Sequence, residues 1–157
     1  MDATAEPGAG TPAEGRPEAD RSRSLSRRIL ALVAWTVLVW GTRIDNIVGD
    51  DGLSAAGKAI RLALAGSLLV LAVLAGTEWW AARRRPTTPS GFRAKIVPLA
   101  VWTTLVWAVR ATGIALGDHD AAFISVHLVL AVVSIALVAA VLAARPALPG
   151  TEGPALP

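Results

Sequence analysis

The 157-residue chain contains no cysteine and no tyrosine, and only two phenylalanines, two histidines and one methionine. The missing cysteines exclude disulfides, thiolate metal sites and thiol redox chemistry at once. His119 lies in a connection and His127 is the single histidine inside an apolar run, so bis-histidine haem ligation within one chain lacks a second ligand. There is no phosphate-binding glycine loop, no Ser–His–Asp arrangement and no pair of carboxylates within the apolar stretches. Asp118, His119 and Asp120 are adjacent at a turn, where helix caps and solvated charges are the ordinary reading. No metal, no cofactor and no nucleic-acid partner is expected.

What is present is aliphatic. Hydrophobic residues make up 54% of the chain, chiefly Ala, Leu and Val with six Trp, gathered into runs separated by charge. Four windows, Ile29–Val48, Leu62–Trp80, Val97–Leu116 and Ala121–Ala144, approach or exceed the roughly 20 residues a helix needs to cross ~30 Å of hydrocarbon. A soluble helical bundle is the competing reading. The run LALAGSLLVLAVLAG (62–76) excludes it, having no polar face to turn toward water. The expected fold is an all-α membrane protein with four transmembrane helices, arranged as two duplicated helical hairpins behind a disordered N-terminal tail. The expected divisions are a tail over 1–25, a first hairpin over 26–80, a basic linker over 81–95, a second hairpin over 96–145 and a tail over 146–157. Residues 1–25, rich in Ala, Gly, Pro and charge, have too little apolar surface to offset their ordering entropy. Arg43 and Asp45 follow the first run where a signal peptide would carry small cleavage-site residues, so that span is expected to be retained.

The basic residues set an expected orientation. Arg16, Arg21, Arg23, Arg27, Arg28, Arg83, Arg84, Arg85, Arg93, Lys95 and Arg145 fall on the side of both termini, against Arg43, Lys58, Arg61 and Arg110 on the other. Eleven against four predicts cytoplasmic termini and a multi-pass protein of the cell membrane. Trp79 and Trp80 suit the inner aromatic belt, and Arg83, Arg84 and Arg85 form a basic cluster suited to anionic lipid at the cytoplasmic face. In the two short connections, Gly49 and Gly117 are placed to end helices in the left-handed conformation. Ser54 and Asp120 are placed to cap the helices that follow.

One motif occurs twice. WTVLVWGTR at 35–43 returns as WTTLVWAVR at 102–110, and residues 34–48 laid on 101–115 match at seven of fifteen positions. The matches include Trp35/Trp102, Trp40/Trp107 and Arg43/Arg110, which apolar composition does not explain. Arg61 and His127 nearly coincide at an offset one residue shorter. A duplicated hairpin follows as the reading, its halves related by an axis along the membrane normal. At ~100° per residue, Arg43 falls on the arc between Trp35 and Trp40 with Thr36, Val39 and Asn46, whereas Asp45 points elsewhere. Arg43 is ~21 Å along the axis from Ile29, leaving ~9 Å of hydrocarbon beyond it. Helical side chains tilt toward the N-terminus, which aims Arg43 and Arg110 at the membrane centre. Arg61 and His127, on descending helices, tilt outward, where snorkelling is easy.

Arg43, Arg110, Trp40, Trp107 and His127 are therefore the candidate ligand or ion site. Three readings of the arginines stand open. They lock the hairpins through Asp50, Asp51, Asp118 or Asp120; they snorkel at the lipid; or they bind something. Glu78, beside basic residues at the inner interface, reads as charge compensation rather than proton coupling. Small-residue spacings at Ala59/Ala63/Ser67 and Ala136/Ala140/Ala144 suit close packing in the bundle, with another copy or with a membrane-protein partner.

On WTVLVWGTRIDNI and its echo at 102–110, residues 29–144 resemble small four-span membrane proteins of GC-rich, actinobacterial-type genomes. The resemblance implies a bacterial source and four spans, and no particular activity. A non-enzymatic scaffold or accessory subunit is the expected function. A small transporter or channel with an anion or acidic-headgroup site in the outer half is the alternative. A membrane enzyme lacks a nucleophile or metal set, and a proton-coupled multidrug exporter would want a carboxylate deeper in the first span than Asp45.

Overall fold

The computed structural model describes residues 16–82, 84 and 89–144, except the side chains at 16–19, 21–22, 82, 89–90 and 92–93. These residues form four helices: α1 (Arg16–Val48), α2 (Ala55–Ala82), α3 (Pro89–Leu116) and α4 (Ala121–Ala143). Each contains a stretch long and apolar enough to cross a bilayer: Arg23–Val48, Ala55–Ala81, Ala94–Leu116 and Ala121–Ala143. Only 22–28% of each span is buried in the bundle, so most of each apolar helix faces outward. Val37, Ile60, Val73, Val109, Leu116 and Val132 are among the large side chains so exposed. Water would not tolerate an apolar surface of that extent, and hydrocarbon does. The protein is an all-helical integral membrane protein with four spanning helices.

The caps follow from the loop residues. Gly57 donates its N–H to Ser54 Oγ at 3.1 Å, and Phe123 donates to Asp120 Oδ1 at 2.8 Å, which starts α2 and α4 as expected. The expected left-handed glycines do not occur, because no described residue has positive φ. Gly49 instead donates to the Asp45 carbonyl at 3.0 Å, and Lys58 Nζ donates to the Val48 carbonyl at 3.0 Å, so α1 is terminated by a lysine from the next helix. Gly117 matters for space: a Cβ there would lie 2.9 Å from His119 Nε2 and 3.0 Å from the Gly113 carbonyl.

Two boundaries differ from expectation. α1 reaches back to Arg16, so 16–25, expected to be tail, is helical, and Leu25 is a core residue only 6% exposed. The helix is 33 residues long, about 50 Å against ~30 Å of hydrocarbon, which leaves its first turns outside the apolar layer. α3 begins at Pro89, where a missing N–H costs no helical bond, so Lys95 belongs to the helix rather than to the linker. Of the connection between α2 and α3 only Arg84 is described. Residues 1–15, Arg83, Arg85 and the tail from Arg145 lie outside the described residues.

The helices run round a square, α1 against α2 and α4, and α3 against α2 and α4, with α1 and α3 on a diagonal. Ile29, Leu32, Leu68, Ile96, Leu99 and Val141 are fully buried between them. Ile29/Ile96 and Leu32/Leu99 stand 67 residues apart, the offset of the tryptophan motif. The two contacts between hairpins are built alike. At the end of the bundle that bears the termini, Arg28 of α1 donates to the Ala140 carbonyl of α4 at 2.9 Å. Lys95 of α3, 67 residues on, pairs with Glu78 of α2 at 3.2 Å. Further along, the indole N–H of Trp35 donates to Ser134 Oγ and that of Trp102 to Ser67 Oγ, both at 2.9 Å. Both partners of the second bond are again 67 residues from those of the first.

Candidate functional site

Beyond those bonds, toward the loops, the repeated motifs meet across the diagonal. Trp40 and Trp107 are buried with ring centroids 6.4 Å apart and planes tilted by 54°, a geometry in which ring edge meets ring face. One turn further on, Arg43 and Arg110 reach the same place, because a spacing of three returns a helical residue to nearly the same face. A cavity of about 350 Å³ opens there. Trp35, Val39, Trp40, Arg43 and Asn46 line it from α1, Trp107 and Arg110 from α3, and Val126, His127 and Leu130 from α4. All five residues of the candidate site thus share one cavity, and Asp45 is exposed away from it, as helical periodicity predicts.

His127 is held in one tautomer. Its Nδ1 lies 2.8 Å from the Phe123 carbonyl, an acceptor only, so Nδ1 carries the proton and donates. Arg110 Nη2, a donor only, lies 3.2 Å from Nε2, which therefore accepts with its lone pair. The imidazole is neutral in this arrangement. Phe123 stacks on His127 with centroids 4.0 Å apart, and His119 on Phe123 at 4.6 Å. Phe123 was not singled out from sequence. The signal was available, since Phe123 and His127 are four apart on α4 and His119 stands four residues before Phe123 in the connection.

The expected lock through Asp50, Asp51, Asp118 or Asp120 does not form among the described residues. Among the described residues no carboxylate lies within ion-pair distance of Arg43, Arg61 or Arg110. Asp120 caps α4 and Asp50 accepts from Gly52 N–H at 3.0 Å, so these short side chains serve their own loops. Both arginines are partly buried, whereas Arg61 is exposed. Arg43 has no hydrogen-bond partner among the described residues, and it, Arg61 and Arg110 are near enough to repel one another. The indole N–H of Trp107 is also buried without a partner, as is the hydroxyl of Thr103 one turn before it. Guanidiniums and indoles only donate and His127 has spent its lone pair on Arg110, so among the described side chains lining the cavity only Asn46 and the hydroxyl of Thr42, itself donating to the Leu38 carbonyl at 2.9 Å, can still accept. A site of donors is complementary to an acceptor, and best to a charged one.

Two other features belong to the opposite end. Glu78, 7% exposed, pairs with Lys95, which also reaches Thr77 Oγ1 at 3.4 Å. Its carboxylate sits against the first turn of α3, where a Cβ on Gly91 would come within 2.7 Å of Oε1. A carboxylate at a helix N-terminus is stabilised by the helix dipole. This is the charge compensation expected of Glu78. Of the basic cluster, Arg84 lies over the Trp80 ring at 3.9 Å, and Arg83 and Arg85 are outside the described residues. Of the small-residue spacings, Ser67 and Ala140 take part in contacts between the hairpins, while Ala59, Ala63 and Ala136 face outward. Comparison of the chain with protein-family models, with curated proteins and with solved structures gives no match.

Proposed function

We propose that the protein is a non-enzymatic membrane component, a scaffold or accessory subunit, that holds an anionic group in the loop-end half of its bundle. The observation that supports this is the convergence of Arg43 and Arg110 on one cavity without a carboxylate among the described residues. Removing charge from water without a partner costs several kcal/mol, so an anion offsets a cost the bundle otherwise carries. A transporter or channel built on the same site is the second reading, favoured by the similar contacts at the two hairpin interfaces, which also support descent from a duplicated hairpin.

The basic-residue asymmetry supports placing both termini in the cytoplasm and the site in the outer leaflet. Arg84, with Arg83 and Arg85, then meets anionic lipid at the inner face. Cysteines introduced as Ser90→Cys and Gly52→Cys test the orientation. Modification of Ser90→Cys by an impermeant external reagent in intact cells would reverse it.

The site itself is tested with the full chain in vesicles of zwitterionic lipid, titrated with inorganic phosphate and read by tryptophan fluorescence. Saturable binding is expected, weakened roughly tenfold in Arg43→Gln and in Arg110→Gln while the helical circular dichroism is unchanged. Absence of saturable binding to the unaltered chain would defeat the proposal.

A further inference from the structure

The cavity has a second chemical character besides its donors. It lies where α1 meets α4, and Leu38 and Val126, which also line it, are 60% and 57% exposed on the lipid-facing surface. Leu130 continues the apolar side along α4, and the Trp35–Ser134 bond crosses from α1 to α4 on the membrane-centre side. A cation-lined recess with an apolar, lipid-facing edge matches a molecule that has an anionic end and a hydrocarbon body. A small hydrated anion would use the arginines and leave the apolar edge unused.

We propose, resting on the anion reading above, that the gap between α1 and α4 admits an anionic phospholipid of the surrounding leaflet sideways. Its phosphate meets Arg43 and Arg110, and an acyl chain lies along Leu38, Val126 and Leu130. Arg43, about 9 Å inside the hydrocarbon edge, draws the headgroup inward, and the chain stays in an apolar environment throughout. Arg110, oriented by His127, supplies a fixed donor, and Arg43 supplies the adaptable one.

The test uses the full chain in phosphatidylcholine vesicles containing phosphatidylglycerol brominated on its acyl chains, compared with equally brominated phosphatidylcholine. In a Trp79→Phe, Trp80→Phe background, which removes the indoles beside Arg84, tryptophan quenching reports occupancy beside Trp35, Trp40 and Trp107. A preference of about tenfold for the anionic lipid is expected. Arg43→Gln abolishes it, and Arg43→Lys, which keeps the charge, retains most of it. Val126→Phe fills the apolar edge and abolishes the lipid preference while inorganic phosphate still binds. Because Val126 faces outward, that variant tests the proposal even where Arg43→Gln does not fold. If phosphate binds and the two brominated lipids quench equally, sideways lipid entry is overturned and the anion site stands. If the lipid preference survives Val126→Phe, the gap between α1 and α4 is not the route. If neither phosphate nor anionic lipid binds, both readings fall.

Discussion

The two copies of the tryptophan motif sit in the same frame and end differently. Trp35 and Trp102 make the same bond to a serine of the opposite hairpin, and Trp40 and Trp107 meet on the diagonal. Past that point the copies diverge. Arg110 has His127 as an acceptor, whereas Arg43 has no hydrogen-bond partner among the described residues, and Arg61, 66 positions before His127, is exposed and can only donate. One turn back, Thr36 donates to the Leu32 carbonyl at 2.8 Å, while the buried hydroxyl of Thr103 has no partner. Buried apolar and indole contacts thus hold the shared frame. His127 ties Arg110, and Arg43, without such a partner among the described residues, is the arginine available to a ligand.

The comparison breaks most visibly at the terminal end. Lys95→Met removes the ion-pair partner of buried Glu78 and is expected to cost about 2–3 kcal/mol, less than a fully buried pair because Lys95 is partly exposed. Arg28→Met at the matching position removes one bond to a carbonyl and is expected to cost about 1 kcal/mol. Unfolding of both variants in mixed micelles measures the difference, and equal losses would mean that the two interfaces are held alike. Gly91→Ala comes next, at about 1 kcal/mol, since its methyl group must displace only the flexible end of the Glu78 side chain. Gly113→Ala, with nothing within 4 Å of its Cβ, is the control and should stabilise α3 slightly.

Trp35→Phe and Trp102→Phe sharpen the equivalence of the two frames. Each loses one indole–serine bond, and losses of about 0.5–1.5 kcal/mol, equal within error, are expected. A clear inequality would show that only one of the two interfaces depends on its bond. The smallest effect is expected from Arg61→Gln, which removes an exposed like charge whose repulsion reaches Arg43 and Arg110. Stability should change by less than about 0.5 kcal/mol. Phosphate affinity in the titration above should fall slightly, because one attracting charge is lost. An unchanged affinity would mean that Arg61 lies outside the field the ligand feels.

Much of this molecule is a local property of its chain. Four runs of apolar residues are long enough to cross a bilayer whatever they pack against, so the spans could be read directly. Helical periodicity set Trp40, Arg43 and Asn46 on one face of α1, and the repeat extended that face to Trp107 and Arg110. Packing alone decided the rest. Leu25 looks like a stray aliphatic residue in a polar tail until the core beside it makes helix worthwhile back to Arg16. Gly49 ends α1 without a left-handed turn because Lys58 arrives from the next helix to bond the Val48 carbonyl. Asp50 and Asp120, within sequence reach of the arginines, instead accept from backbone N–H groups only two or three residues away. That Arg110 rather than Arg43 finds a lone pair was equally out of reach of sequence reading. Hydrogen bonding between helices depends on angle and distance to fractions of an ångström, and residue spacing along one chain does not specify either.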